Sequence, residues 1–348
     1  MASDVVDWNL ALATGTRLAP KGPHRELEDA RETVIQLREL ATTAIAPVRE
    51  CTGLVAPANA PPAAVIDRRA WIESNLDSFR YVLSPVLDRL RSNGVSPVNE
   101  IGSRLTALQM GFVLGWLSGK VLGQYEALVP PGQNPRLMLV APNIVQVADN
   151  LGVDQRDFQL WVCLHEETHR VQFTAVGWLS DYFAAETRSL VAAVDVPPRE
   201  FLKHSKDLLE AIVQVLRGND GATALMLAVL SPEQRAVYDR ISALMTLLEG
   251  HADVVMDEVG PEVVPSVALI RSRFDERRNQ PGTTDSIARR LFGMDAKMRQ
   301  YSEGAVFVRS VVDQVGMAGF NHAWAQPANL PSLAEIADPP AWISRIHG

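Results

Sequence analysis

Cysteine is almost absent: Cys51 and Cys163 are the only two among 348 residues. That argues against a disulfide framework, and since Cys163 lies within a helical pattern, both read as buried thiols. Positive charge is also in deficit, with 33 Lys and Arg against 41 Asp and Glu and a formal net charge of -8. No Lys/Arg-rich stripe offsets it, so the basic surface that nucleic acid requires is missing. Long apolar runs are lacking too. The longest, "LTALQMGFVLGWLSG" (105–119), sits between Arg104 and Lys120 and is too short to span a bilayer. Its glycines predict a tightly packed interior helix. The opening "MASDVVDWNLALATG" carries acids where a secretory leader would carry basic residues. The expectation is a soluble, cytoplasmic protein with neither membrane nor nucleic acid as partner. Repeats and low-complexity stretches are absent.

What is present is a globular balance, 47% hydrophobic and 21% charged, in a length that allows one large domain or two ordinary ones. Helical periodicity covers 25–50 and about 69–91, separated by the Pro/Ala-rich "APANAPPAAV" (56–65). "SNGVSPVNE" (92–100) reads as a loop, and the Gly-spaced apolar helix then runs to about Tyr125. The turn cluster "VPPGQNP" (129–135) sets a soft boundary, giving an N-terminal helical region over 1–130 and a second region over 131–348, the two together allowed as one compact unit. "RLMLVAPN" (136–143) is the most strand-like stretch. Helices are predicted over 154–173, with Asp154 as N-cap and Asp157 in the first turn, and over about 178–193, 198–217 and 222–230. "SPEQ" at 231–234 opens a further helix as a capping box with Pro at its first position. The predicted fold class is mainly α, with a small β element before the helix of 154–173.

That helix contains "LHEETHRVQF" (164–173), an HExxH pattern of His165, Glu166 and His169. At about 100° per residue the two histidines share one face a turn apart, the spacing that lets two imidazoles hold one tetrahedral metal. Glu166 falls on the flank of that face, where it meets a water more readily than the metal. Phe158, Trp161 and Gln172 lie near the ligand face and Glu167 and Arg170 point away, so the ligand face is expected on the inward side of an amphipathic helix. The bland alternative is a chance match on a polar surface helix.

A third ligand is needed. The extension with Gly three and His six residues after His169 is excluded, because Gln172 and Ala175 stand there. "LLEGHADVVMD" (247–257) offers Glu249 and Asp253 one turn apart, with Met245 and Met256 on the same wheel face. Two carboxylates on an apolar face cost several kcal/mol unless compensated. A cation beside Glu249 and a ligand imidazole beside Asp253 would compensate them, Asp253 then accepting the imidazole N–H from outside the ligand set. Gly250 would let the two helices approach closely. His251 and Glu186 remain minor candidates, and pairing of Glu249 and Asp253 with buried arginines is the ordinary alternative.

These segments, with "DWNLA", "VLGQYEALVPPG", "RLMLVAPNI", "QYSEGAVFV" and "LPSLAEIADPPAWISRI", resemble the actinobacterial zinc metallopeptidases of the zincin type 2 group. Some of that group are named for association with deazaflavin-coenzyme biosynthesis. The resemblance runs along most of the chain. It implies a mostly helical zincin-like metallopeptidase with His165, His169 and Glu249 as ligands of Zn2+ and Glu166 as catalytic residue. The chemistry expected is hydrolysis of a peptide or other amide, with Glu166 as general base. The strand "RLMLV" is expected at the sheet edge, where it could pair with an extended substrate. Tyr301, His322 and Asn143 are candidates to donate to the oxyanion, Tyr301 first. The rival readings are a zinc-binding structural or interaction protein that no longer cuts, and a metal-free helical interaction protein.

Overall fold

The computed structural model describes residues 5–92, 100–130, 132–192, 231–279 and 294–348. It forms two compact units, Met1–Ser180 with Val255–Phe274, and Asp181–Val254 with Asp275–Gly348. Helices dominate both, as expected, and the predicted helices at 198–217 and 222–230 lie outside the described residues.

In the first unit α1 (Trp8–Leu18), α2 (Leu27–Thr43) and α3 (Ile45–Thr52) precede strand β1 (Ala64–Ile66), and α4 (Arg68–Ser92) and α5 (Glu100–Leu117) follow it. The single helix predicted over 25–50 is thus two. Then come β2 (Gly123–Tyr125), β3 (Leu137–Val140), α6 (Ala141–Leu151) and α7 (Gln155–Ala175). The strands make one sheet in the order β1-β3-β2, with β1 parallel and β2 antiparallel to β3. The 129–135 turn cluster joins β2 to β3 as a hairpin.

The apolar run Leu137–Val140 is explained by two-sided burial: all four residues are buried. Leu139 packs with α2, α6 and α7, while Met138 and Val140 face a second core built from α1, α4 and α5. β3 is therefore the central strand, which corrects the expectation that it forms the edge. The edges are β1 and β2.

α1 and α5 meet through glycines. A Cβ on Gly111 would stand 2.5 Å from the Ala11 carbonyl, and one on Gly115 would stand 2.7 Å from that of Gly15. The interior packing predicted for this helix holds on that face only. Leu105, Leu108 and Phe112, spaced three and four apart, are exposed on another. No helix among the described residues is long and apolar enough to cross a membrane.

The remaining elements are α8 (Leu179–Ala192), α9 (Pro232–Val263), α10 (Val267–Asn279), α11 (Met294–Phe320), α12 (Leu333–Ala337) and α13 (Pro339–His347). α9 opens with the predicted capping box: Gln234 N–H donates to Ser231 Oγ, and Ser231 N–H donates to Gln234 Oε1. In the second unit α9 and α11 touch backbone to backbone, for a Cβ on Gly250 would lie 2.2 Å from the Gly304 carbonyl carbon. The neighbour that Gly250 admits is thus α11.

Candidate metal centre

α7 begins where its sequence says it should. Asp154 caps it by accepting from Asp157 N–H, and the Asp157 carboxylate accepts from Ser266 N–H, tying in the start of α10. Beyond that first turn, the helix is buried on nearly every side. Phe158, Leu160, Val162, Cys163, Leu164 and Val171 enter the core, and so do the polar residues Gln159, Glu166, Glu167, Thr168, Arg170 and Gln172. The partly open positions follow one another at four-residue steps: Trp161, His165, His169, Phe173. The ligand face is thus a half-buried stripe, less enclosed than the inward placement expected, and the flanks and back supply the core.

The two imidazoles converge. His165 Nε2 and His169 Nε2 are 3.2 Å apart, with the rings edge to face. Two nitrogens bound to one tetrahedral zinc at ~2.0–2.1 Å would be separated by ~3.3 Å, so the spacing fits a shared ion. His165 and His169 stand in the first unit and Glu249 in the second. Two imidazoles at this spacing suit a metal of borderline softness, as zinc is.

His169 Nδ1 lies 2.9 Å from Gln172 Oε1. Gln172 is fully buried on the same helix, three residues on. Sequence reasoning placed it near the ligand face without giving it a role, although a side chain three residues after a ligand histidine was the available signal. Glu166, 6% exposed, packs against Gly123 of β2, where a Cβ would stand 2.5 Å from its carboxyl carbon. No sequence signal marked Gly123.

Tyr125, two residues along β2, stacks on Phe173 with ring centroids 5.4 Å apart. Burial pushes its phenol up to about 12, against the pull of the Arg170 guanidinium and with that of Glu126. Glu126 is buried, which alone would raise its carboxyl. Hydrogen bonds from Arg136 and Ser74 outweigh burial and hold it below the ordinary value. On the back of α7, Glu167 and Arg170 form a buried bidentate ion pair at 2.6 Å, and burial raises the Glu167 carboxyl despite it.

The other expected site residues divide. Glu249 is half-buried on α9, whereas Asp253 one turn on is exposed, so the desolvation argument holds for Glu249 and fails for Asp253. His251 is fully buried in an aromatic pocket, its ring 5.1 Å from Phe320 and 5.7 Å from Trp324. Glu186 is engaged by the Arg240 guanidinium through both oxygens. Asn143 cannot serve as oxyanion donor, because its amide hydrogens go to the Ser118 and Val121 carbonyls and its oxygen accepts from Arg68. His322 stacks on His347 at 4.8 Å. Tyr301 lies on α11, and its side chain falls outside the described residues. Cys51 and Cys163 are free thiols, and burial, with Glu258 adding to it, pushes Cys51 up to about 11.

Residues 6–343 match the family of zincin-like metallopeptidases. A solved structure from Chloroflexus aurantiacus, described as a "putative hydrolase with a novel fold", is 31% identical, with 98% of each chain covered and a TM-score of 0.69. No curated protein matches the sequence.

Proposed function

The chain belongs to the zincin-like metallopeptidase family, and from that premise we propose that it is a zinc-dependent hydrolase that cuts a peptide or other amide bond. The observation that carries the reading is the convergence of the His165 and His169 Nε2 atoms at 3.2 Å, with Glu166 one residue from the first, and Glu249 is the proposed third ligand. Zinc held there would act as a Lewis acid and acidify a water at its open position.

The rest falls to the chain's own residues. Glu166 takes the proton of the attacking water at its carboxylate and returns it to the leaving amine. Its burial against Gly123 keeps bulk water off that carboxylate and limits its rotamers. The substrate backbone is laid along the outer edge of β2. In the hairpin, Val140 N–H donates to Leu122 O and Glu126 N–H donates to Arg136 O. The alternation of an antiparallel pair then turns the N–H and C=O of Gly123 away from β3, where an extended peptide can pair with them by β-augmentation. Tyr301 is the proposed oxyanion donor, since a phenol donates without bringing charge. Asp253 is kept as the proposed carboxylate behind a ligand histidine. The two free thiols favour a reducing compartment, the cytoplasm. Within the family we place the chain in the actinobacterial, deazaflavin-associated branch, on the segments from "DWNLA" to "LPSLAEIADPPAWISRI".

The test is a peptide-library digest by zinc-loaded wild type and Glu166→Gln. Cleavage by the wild type, with a loss of about 10²-fold or more in the variant at equal zinc content, supports the hydrolase. Zinc binding with no cleavage by either chain would leave the alternative of an inactive zinc-binding structural or interaction protein.

A further inference from the structure

From the contact between Gln172 and His169 we infer that Gln172 is a positioning residue, which fixes His169 in the one tautomer able to ligate through Nε2. The inference rests on the zinc reading above.

Gln172 Oε1 can only accept a hydrogen bond, so His169 Nδ1, 2.9 Å away, carries the proton. In a neutral imidazole that leaves the lone pair on Nε2, the atom that faces His165 Nε2 at 3.2 Å. The amide has little freedom to do otherwise. Gln172 is fully buried, and it rides on the same helix as the ring it holds, so the pair moves as one body. A surface glutamine would lose rotamer entropy on making this bond, whereas here packing has already removed it. Metal-ligating histidines commonly hand this hydrogen to a carboxylate, which makes the ring more basic. A neutral amide orients the ring without adding charge. The proposed ligand set would then keep one anionic group, Glu249, and a cation held there would keep more of its charge for a substrate carbonyl.

The experiment measures zinc dissociation constants by chelator competition for wild type, Gln172→Leu, Gln172→Asn and Gln172→Glu, with the tautomer of His169 read in the zinc-free chains from imidazole 15N shifts. Gln172→Leu has no acceptor and Gln172→Asn is one methylene too short. Both are expected to weaken zinc by about 10–100-fold and to populate the Nε2–H tautomer. Gln172→Glu restores an acceptor of equal reach and is expected to bind at least as tightly as wild type. Thermal melts of the zinc-free chains separate a local effect from misfolding, and Gln172→Asn stands in if Gln172→Leu does not fold. Zinc held within twofold of wild type by Gln172→Asn, or a wild-type His169 with its proton on Nε2, overturns the inference and leaves the hydrolase reading intact. A wild type that binds no zinc overturns both.

Discussion

Gly123 and Glu166 share a space that holds one side chain. A Cβ on Gly123 would stand 2.5 Å from both the carboxyl carbon and the Cγ of Glu166, closer than Cβ atoms come to any neighbour. A displacement of about 1 Å in a catalytic group can cost ~10²-fold in rate. Gly123→Ala should therefore lower cleavage by about that factor while zinc stoichiometry, measured by plasma mass spectrometry, stays at the wild-type value. Activity within threefold of wild type would show that Glu166 does not need this space.

The ligand assignment separates two residues on one helix. Glu249→Ala should purify with little zinc, and His251→Ala, whose ring lies against Phe320 and Trp324, should keep it at the cost of packing. Metal analysis of both chains decides the matter, and the opposite pattern would move the third ligand to His251.

The buried ion pair of Glu167 and Arg170 offers a stability test apart from the metal. Removing one partner leaves a charge in the core, so Glu167→Ala should destabilise by about 3–5 kcal/mol in urea titration. Replacing both with leucine should recover most of that loss. A single variant as stable as wild type would mean that water reaches the pair.

Glu126 should make part of the stability pH-dependent. Its carboxyl is held below the ordinary 4.5 by Arg136 and Ser74 in spite of burial. A carboxylate depressed on folding stabilises above its unfolded value and loses that contribution as pH falls through the lowered one. Urea midpoints of wild type and Glu126→Gln should therefore differ at pH 6 and converge as pH drops below about 4.5. A gap that stays constant down to pH 3 would refute the linkage.

Local signals in the sequence carried furthest. The Asp154 cap, the capping box at Ser231 and the HExxH face depend on neighbours within a turn of helix, and each lies where its spacing put it. What depends on distant neighbours was out of reach. Four apolar residues look alike whether they form an edge or a central strand, so the sequence points to an edge where Leu137–Val140 form the centre of the sheet. β2 is three residues long with no alternation to mark it. A helical wheel gives the face of Glu167 and Arg170 but not what packs on that face, and their charges suggested solvent where there is core. The same limit applies to Asp253, which shares a wheel face with Glu249 and is nonetheless exposed. Gly123 becomes visible only through the atoms it stands beside, whereas Gln172 lies near the ligand face on the wheel and only its partner is out of reach.

α7 is the most enclosed helix of its unit among the described residues, and it carries the HExxH residues His165, Glu166 and His169. Many enzymes keep these duties apart, with a rigid scaffold below and exchangeable loops above, and diversify by swapping the loops. For the proposed hydrolase that route is closed, because a change to the HExxH helix is also a change to the core. New specificity, whether by natural drift or by design, has to be written on β2 and on whatever borders the Trp161-to-Phe173 stripe, while the helix itself stays as it is.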